Sequence, residues 1–333
     1  MTPVPDRLRT LFPGSPDRRL SSFVRDIDGA LASFSREQSR ILAPITRYIF
    51  QKPGKRIRPL LVHLCSRVGR PSSSRAVLEA ALAVEMIHIA TLIHDDLVDA
   101  AALRHHEPTV TVRFGEGMAV LMGDFVFSQA FEKLARLGRT DLIRVFTDSA
   151  SRVCEGEIGQ MQYRHRLDIS EEIYLRFIED KTASLMAAAC RVGALQGGLS
   201  PRGQRALEEY GRLLGMAFQV SDDVLDIEGQ ERSAGKTLRT DFLNGKMTLP
   251  LIHYRRSLRT VRERETFRRL MSSPDGRLSE LMGCLRRSGS LDYARQRADR
   301  YTREAQQSLR RLPPSAARDM LGSLAERLGR RKA

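Results

Sequence analysis

Tryptophan is absent from the 333 residues, and aromatic side chains make up only 6% of them. The core must therefore be built from Leu, Ala, Val, Ile and Met, and no aromatic platform is offered for stacking on nucleic-acid bases. The four cysteines, Cys65, Cys154, Cys190 and Cys284, are far apart and form no CxxC pair. Neither a disulfide framework nor a thiolate zinc site is expected, which fits a reducing, cytoplasmic setting. Long apolar runs are missing too. The longest, residues 80–93, is interrupted by Glu85 and His88 and reads as too short and too polar to span a bilayer. Residues 1–20 are rich in Pro and Arg and lack the apolar stretch of a secretory leader. No segment sustains the alternation of β-branched and polar residues that marks strands, so no sheet is expected. Acidic residues are in deficit: 40 Asp and Glu against 55 Lys and Arg leave a net charge of +15. That excess suits anionic small substrates, nucleic acid or an anionic membrane surface, or a solvated basic exterior.

What is present is helical. Apolar residues reach 41%, enough for a sizeable core. Asp26-Ile27-Ala30-Leu31-Phe34 and Leu175-Ile178-Thr182-Leu185-Met186 follow the i, i+3/i+4, i+7 spacing of an amphipathic helix. Breaks fall at residues 69–74, 197–201, 272–276 and at Pro313-Pro314, none long enough for an inter-domain linker. Residues 228–249, rich in Gly, Thr, Lys and Asp, read as an ordered functional loop. The expected architecture is a poorly ordered tail over residues 1–20, then one all-α domain of about a dozen helices over 21–333.

Two acidic motifs carry the chemistry. Asp95-Asp96-Leu97-Val98-Asp99 follows an apolar helical run, and Asp222-Asp223-Val224-Leu225-Asp226 repeats the spelling. At about 100° per residue the three carboxylates of each motif fall on one helix face. Like charges this close raise one another's pKa unless a cation neutralises them. Oxygen-only ligands point to a hard cation, and Mg²⁺ typically takes one or two carboxylates with water and substrate phosphates. Cationic partners are at hand. Lys55 and Arg58 lie three apart in Gly54-Lys55-Arg56-Ile57-Arg58-Pro59 and are able to grip one diphosphate. Lys181-Thr182 sits in the middle of a helical pattern, and Lys236 and Lys246 lie in the loop after the second motif. Together they describe two anionic pockets, one bridged by metal and one not.

GKRIRP, HDDLVD, EGEIGQ (155–160), KTA (181–183), FQVSDDVLD and GKMTLP (245–250) occur in the order found in the trans-isoprenyl diphosphate synthases, the polyprenyl synthetase family. The chain resembles that family over nearly all its length. The resemblance implies an all-helical isoprenoid synthase fold, usually homodimeric, with a central cavity. It implies that Asp95, Asp96, Asp99, Asp222, Asp223 and Asp226 hold Mg²⁺, three ions in all, on an allylic diphosphate. By the same resemblance Lys55, Arg58 and His88 bind isopentenyl diphosphate, while Arg104, Lys181, Thr182, Gln219, Lys236 and Lys246 contact the allylic diphosphate or its metals. The allylic C–O bond breaks, the isopentenyl double bond attacks the delocalised cation, and the released diphosphate takes up the lost proton. A dry cavity protects the cation, and the protein's task is positioning and electrostatics.

One departure stands out. Where the family usually has two arginines and a glycine, this chain reads Arg104-His105-His106. A neutral His105 donates less than arginine, and its charge depends on pH, so weakened isopentenyl diphosphate binding is expected. A His-His metal site is disfavoured, because adjacent histidines diverge on a helix. Arg239 stands where a glycine is common. Ala90 and Thr91, five and four residues before Asp95, are small where short-chain members carry aromatics. That points to a product of six to nine isoprene units for quinone side chains, with Phe125, Phe127 and Phe131 as candidate floor residues or ordinary core. A short-chain farnesyl or geranylgeranyl synthase is the alternative. A class I terpene cyclase needs no Lys55/Arg58 pocket, and a non-catalytic subunit typically loses motifs retained here. No specific nucleic-acid binding and at most peripheral membrane contact are expected.

Overall fold

The computed structural model describes residues 8, 11–12, 18–51, 54–71, 73–104, 107–228, 244–272 and 274–329. The described chain is almost entirely helical. In order it runs α1 (Arg18–Arg36), α2 (Ala43–Phe50), α3 (Ile57–Val68), α4 (Ser74–Val98), α5 (Val110–Phe114), α6 (Glu116–Arg136), α7 (Thr140–Gln162) and α8 (Glu171–Ile178). A π-helical turn (Glu179–Ala183) then leads into α9 (Ser184–Gln196), α10 (Pro201–Glu228), α11 (Leu249–Ser257), α12 (Val261–Ser272), α13 (Pro274–Arg287), α14 (Ser290–Leu309) and α15 (Ala316–Gly329). Starts follow capping chemistry: Ser73, Thr109 and Ser170 accept backbone N–H groups of the first turns of α4, α5 and α8.

Three sequence expectations need correction. A sheet was not expected, yet Leu103–Arg104 pairs antiparallel with Glu107–Pro108 in a two-residue ladder. A hairpin this short has no room to show an alternating pattern. The break expected at residues 272–276 is narrower, because Pro274 opens α13, a position where its missing N–H costs nothing. The apolar run at 80–93 belongs to a 25-residue helix. By length and composition α4 alone among the described helices qualifies as a membrane span, but 67% of its most apolar window is buried inside the protein. The expected tail falls largely outside the described residues, and α1 is under way by Arg18.

Two apolar clusters make the interior. The larger gathers α1–α7, α9, the first half of α10 and α15. The smaller gathers α8, Met216, Val220, Val224 and Ile227 of α10, and α11–α14. In the larger cluster α4 lies against α3 and α6, and α9 lies against α3, α7 and α10. The π turn passes between α7 and α10 at close range. A Cβ on Gly156 would sit 2.7 Å from Lys181 N, and one on Gly215 would sit 2.4 Å from the Cα of Ala183. Two glycines therefore let the turn carrying Lys181 and Thr182 reach the space between the two acidic motifs.

Candidate active site

The first acidic motif ends α4, and each of its carboxylates meets a different cation. Asp96 is buried and holds Arg104, whose Nε lies 2.8 Å from both carboxylate oxygens and whose Nη2 lies 2.6 Å from Oδ1. Asp99 accepts from Lys246 at 2.8 Å and is ion-paired with Arg164. Asp95 lies 3.8 Å from Lys181 Nζ. Burial drives the Asp95 carboxyl up to about 6, with Glu157 and Asp99 adding to the effect and Lys181 opposing it. Burial also works against the Lys181 ammonium, but Asp95, Glu157 and Asp99 outweigh it and hold its pKa above the ordinary lysine value. Lys181 is ion-paired with Glu157 and within 3.5 Å of Gln160 Oε1.

Sequence periodicity places Lys181 within an unbroken α-helix. The structure puts it instead on the π turn between α8 and α9. The extra residue per turn re-aims the side chain, a device common at functional sites. Arg152 fastens the turn from outside through Asp180 at 2.8 Å and Glu179 at 3.2 Å, and Arg212 holds Glu179 at 3.1 Å. The next residue reaches the second motif: Thr182 Oγ1 donates to Gln219 Oε1 at 2.8 Å, and Gln219 Nε2 donates to Asp223 Oδ1 at 2.8 Å. Tyr174 donates to the other oxygen of the buried Asp223 at 2.6 Å. Neighbouring residues of one turn thus join the two acidic motifs. Asp222 and Asp226 share the half-buried side of α10.

The basic motif is set by a residue that sequence reasoning passed over. Arg56 has a left-handed backbone, φ 53°, and is buried. Its guanidinium donates to Asp28 at 3.0 Å and to Glu85 at 2.9 Å, which pins the loop to α1 and α4. Lys55 on one side stays exposed. Arg58 on the other turns inward, and burial lowers its pKa to about 10 against the pull of Glu85 and Asp95, leaving it charged at neutral pH. Its buried Nε–H has no acceptor among the described residues, an orphan donor that an anionic ligand would satisfy. His88, Thr91, Asp95 and Asp99 form a half-buried stripe along α4, while Ala90 is wholly buried in the core. Phe125 stacks on Phe34, and Phe127 packs on Phe131 at 5.1 Å, all partly buried against the larger apolar cluster. His105, His106, Lys236 and Arg239 lie outside the described residues.

Glu157, Gln160, Arg164 and Tyr174 were also missed. Glu157 and Gln160 stand inside the EGEIGQ motif, whose acidic and amide side chains are the local signal for them. Among the described residues, no group of three His, Cys, Asp or Glu side chains converges to hold a metal alone. The donor set is still all oxygen, and Mg²⁺ asks for only one or two carboxylates when water and phosphate complete its shell. The residues therefore fit an ion shared with a diphosphate.

The sequence profile of the polyprenyl synthetase family matches residues 39–283. The chain is 39% identical over 288 residues to a short chain isoprenyl diphosphate synthase of Methanothermobacter thermautotrophicus, covering 84% of this chain and 87% of that one. It is 36% identical over 280 residues to the octaprenyl diphosphate synthase of Escherichia coli, covering 84% and 86%. The fold superposes on the crystal structure of a polyprenyl synthase from Caulobacter crescentus CB15, complexed with calcium and isoprenyl diphosphate, with a TM-score of 0.87, 32% identity and 98% of each chain covered. The chain belongs to the trans-isoprenyl diphosphate synthases, the polyprenyl synthetase family, and is a prenyltransferase.

Proposed function

We propose that this prenyltransferase adds isopentenyl diphosphate to a farnesyl or geranyl primer and makes a long all-trans product, of six to nine isoprene units, for quinone side chains. The observation that carries the chain length is the stripe on α4: directly beneath Asp95 it presents Thr91, half-buried, with no aromatic at 90 or 91. One observation favours the short-chain reading. Ala90 is wholly buried, so Thr91 alone would have to let the tail pass.

In this reading Lys55, Arg58 and His88 hold isopentenyl diphosphate, with the orphan Arg58 Nε–H as one of its donors. Arg104, Lys181 and Lys246 stand where the allylic diphosphate departs, and their fixed positive charge stabilises it as the C–O bond breaks. Mg²⁺, as three ions shared between Asp95, Asp96, Asp99 and Asp222, Asp223, Asp226, would supply the remaining neutralisation of the leaving group. Thr182 and Gln219 keep Asp223 oriented, and the apolar wall of α4 excludes water from the allylic cation. The test is product analysis with Mg²⁺, isopentenyl diphosphate and each primer. Wild-type products of thirty carbons or more are expected, and Thr91→Phe is expected to cut them by several units. Wild-type products ending at fifteen or twenty carbons would assign the short-chain function instead.

A homodimer is part of the same proposal. Val112 on α5 and Val120 and Leu121 on α6, two helices packed against each other, are 59%, 43% and 65% exposed, apolar side chains that a second copy would cover. Sedimentation velocity should show a dimer for the wild type and a monomer for the Val120→Asp/Leu121→Asp double variant.

A further inference from the structure

Asp99 is the one carboxylate of the first motif in direct ion-pair contact with two cations. Arg164 Nη2 is ion-paired with Oδ1, Arg164 Nη1 donates to the Val98 carbonyl at 3.2 Å, and Lys246 donates to Oδ2 at 2.8 Å. The two cations come from different loops that are locked together beside them. His165 N donates to Gly245 O at 2.9 Å. Both residues have left-handed backbones, φ 61° and 69°, and a Cβ on Gly245 would lie 2.2 Å from His165 Nδ1. Arg164 is thus held at a fixed place in the site. Its Nε–H is buried with no acceptor among the described residues, so its donor capacity is only partly used.

The side chains in direct ion pairs around the first motif balance in charge. Asp95, Asp96, Asp99 and Glu157 meet Arg104, Lys181, Arg164 and Lys246. A divalent cation approaching Asp99 must compete with Arg164 and Lys246 for the same oxygens. A diphosphate arriving with the metal reverses the balance, because it offers those cations new acceptors while the metal takes the carboxylate. Arg164 is not among the residues that the family resemblance assigns to this site.

We propose that Arg164 is a substrate-binding residue that guards Asp99 in the free enzyme and passes to the allylic diphosphate when metal and substrate bind together. This rests on the proposed prenyl-transfer reading of the same site. It makes metal and diphosphate binding mutually dependent, because neither alone frees both Asp99 and Arg164.

Isothermal titration of the full chain tests it, with Mg²⁺ alone and with geranyl S-thiolodiphosphate, a primer analogue that resists ionisation, at saturating Mg²⁺. Arg164→Gln removes the competing charge, so Mg²⁺ alone should bind several-fold more tightly. The same variant should bind the analogue roughly tenfold more weakly, as befits the loss of a charge-assisted pair, and the KM for the allylic primer should rise while that for isopentenyl diphosphate stays. Arg164→Lys keeps the charge but loses the fork. It should leave Mg²⁺ affinity near wild type and weaken the analogue about threefold, and it reads the same comparison if Arg164→Gln fails to fold. Parallel weakening of both ligands, as a purely structural tie to the end of α4 would give, overturns the proposal, as does no change in either. If the wild type itself fails to bind the analogue with Mg²⁺, the prenyl-transfer reading of the site falls with it.

Discussion

Asp95→Asn should lower kcat by roughly 10³-fold, the scale of losing a transition-state stabiliser in a dry site, and should at the same time make the metal-free protein more stable. The second half follows from burial. The Asp95 side chain is 21% exposed, its nearest cation is at 3.8 Å, and its carboxyl is raised to about 6. The folded state therefore holds a proton on Asp95 that the unfolded chain releases near its ordinary value. Stability is full below about pH 4, where both states are protonated, and falls as pH rises towards 6, where only the unfolded state is charged. Above 6 the whole penalty is in force, about 1–3 kcal/mol for a shift of this size. Asparagine does not titrate and escapes it. Urea midpoints measured in a chelating buffer should coincide near pH 4, separate in favour of Asp95→Asn up to pH 6, and stay apart at pH 7. A variant less stable than wild type at pH 7 would mean that Asp95 works chiefly as the structural counter-charge of Lys181, and the reading of a strained carboxylate awaiting a cation would be lost.

The helical fold was legible because helices such as α1 and α7 write their buried faces at helical period, whereas α4 is buried on every side between residues 80 and 87 and declares itself by composition alone. The two acidic motifs were legible because the same spelling occurs twice, each time at the end of an apolar helical run. The π turn was not. It is made by one residue more per turn, and Leu175, Ile178, Thr182 and Leu185 satisfy ordinary helical spacing well enough to conceal it. Its cause is tertiary: Gly156 and Gly215 admit the turn from neighbouring helices far away in sequence. Arg56 was hidden for a related reason. Lys55 and Arg58 are spaced for a diphosphate, but nothing local says that the arginine between them folds back on Asp28 and Glu85. Arg164 belongs to no motif. Its pairing with Asp99 spans 65 residues and depends on how the end of α7 meets the segment before α11. Pattern reading finds residues that repeat or cluster along the chain, whereas the supports of this site come from single residues delivered by packing.

Lys181→Gln should damage both stability and catalysis, and a second substitution should separate the two. The Lys181 ammonium is the counter-charge of Glu157, whose side-chain oxygens are buried, and it lies within reach of Asp95. Removing it leaves carboxylates buried without their cation, at a cost of about 3–5 kcal/mol. Glu157→Gln in the same chain withdraws one of those charges, so the double variant should recover about 2 kcal/mol or more of the loss, a coupling that a double-mutant cycle in urea reads directly. Catalysis should not follow. In the proposed reaction the ammonium, beside Asp95, faces the charge gathering on the leaving diphosphate, and no neutral amide replaces it, so kcat should fall roughly 10²–10³-fold in Lys181→Gln and stay there in the double variant. Glu157→Gln alone keeps Lys181 beside Asp95 and should retain most of the activity. Stability regained without activity places Lys181 in the chemistry and Glu157 in its support. Activity regained together with stability would reduce Lys181 to a strut for the π turn, and the cation assisting departure would then have to be Arg104 or Lys246.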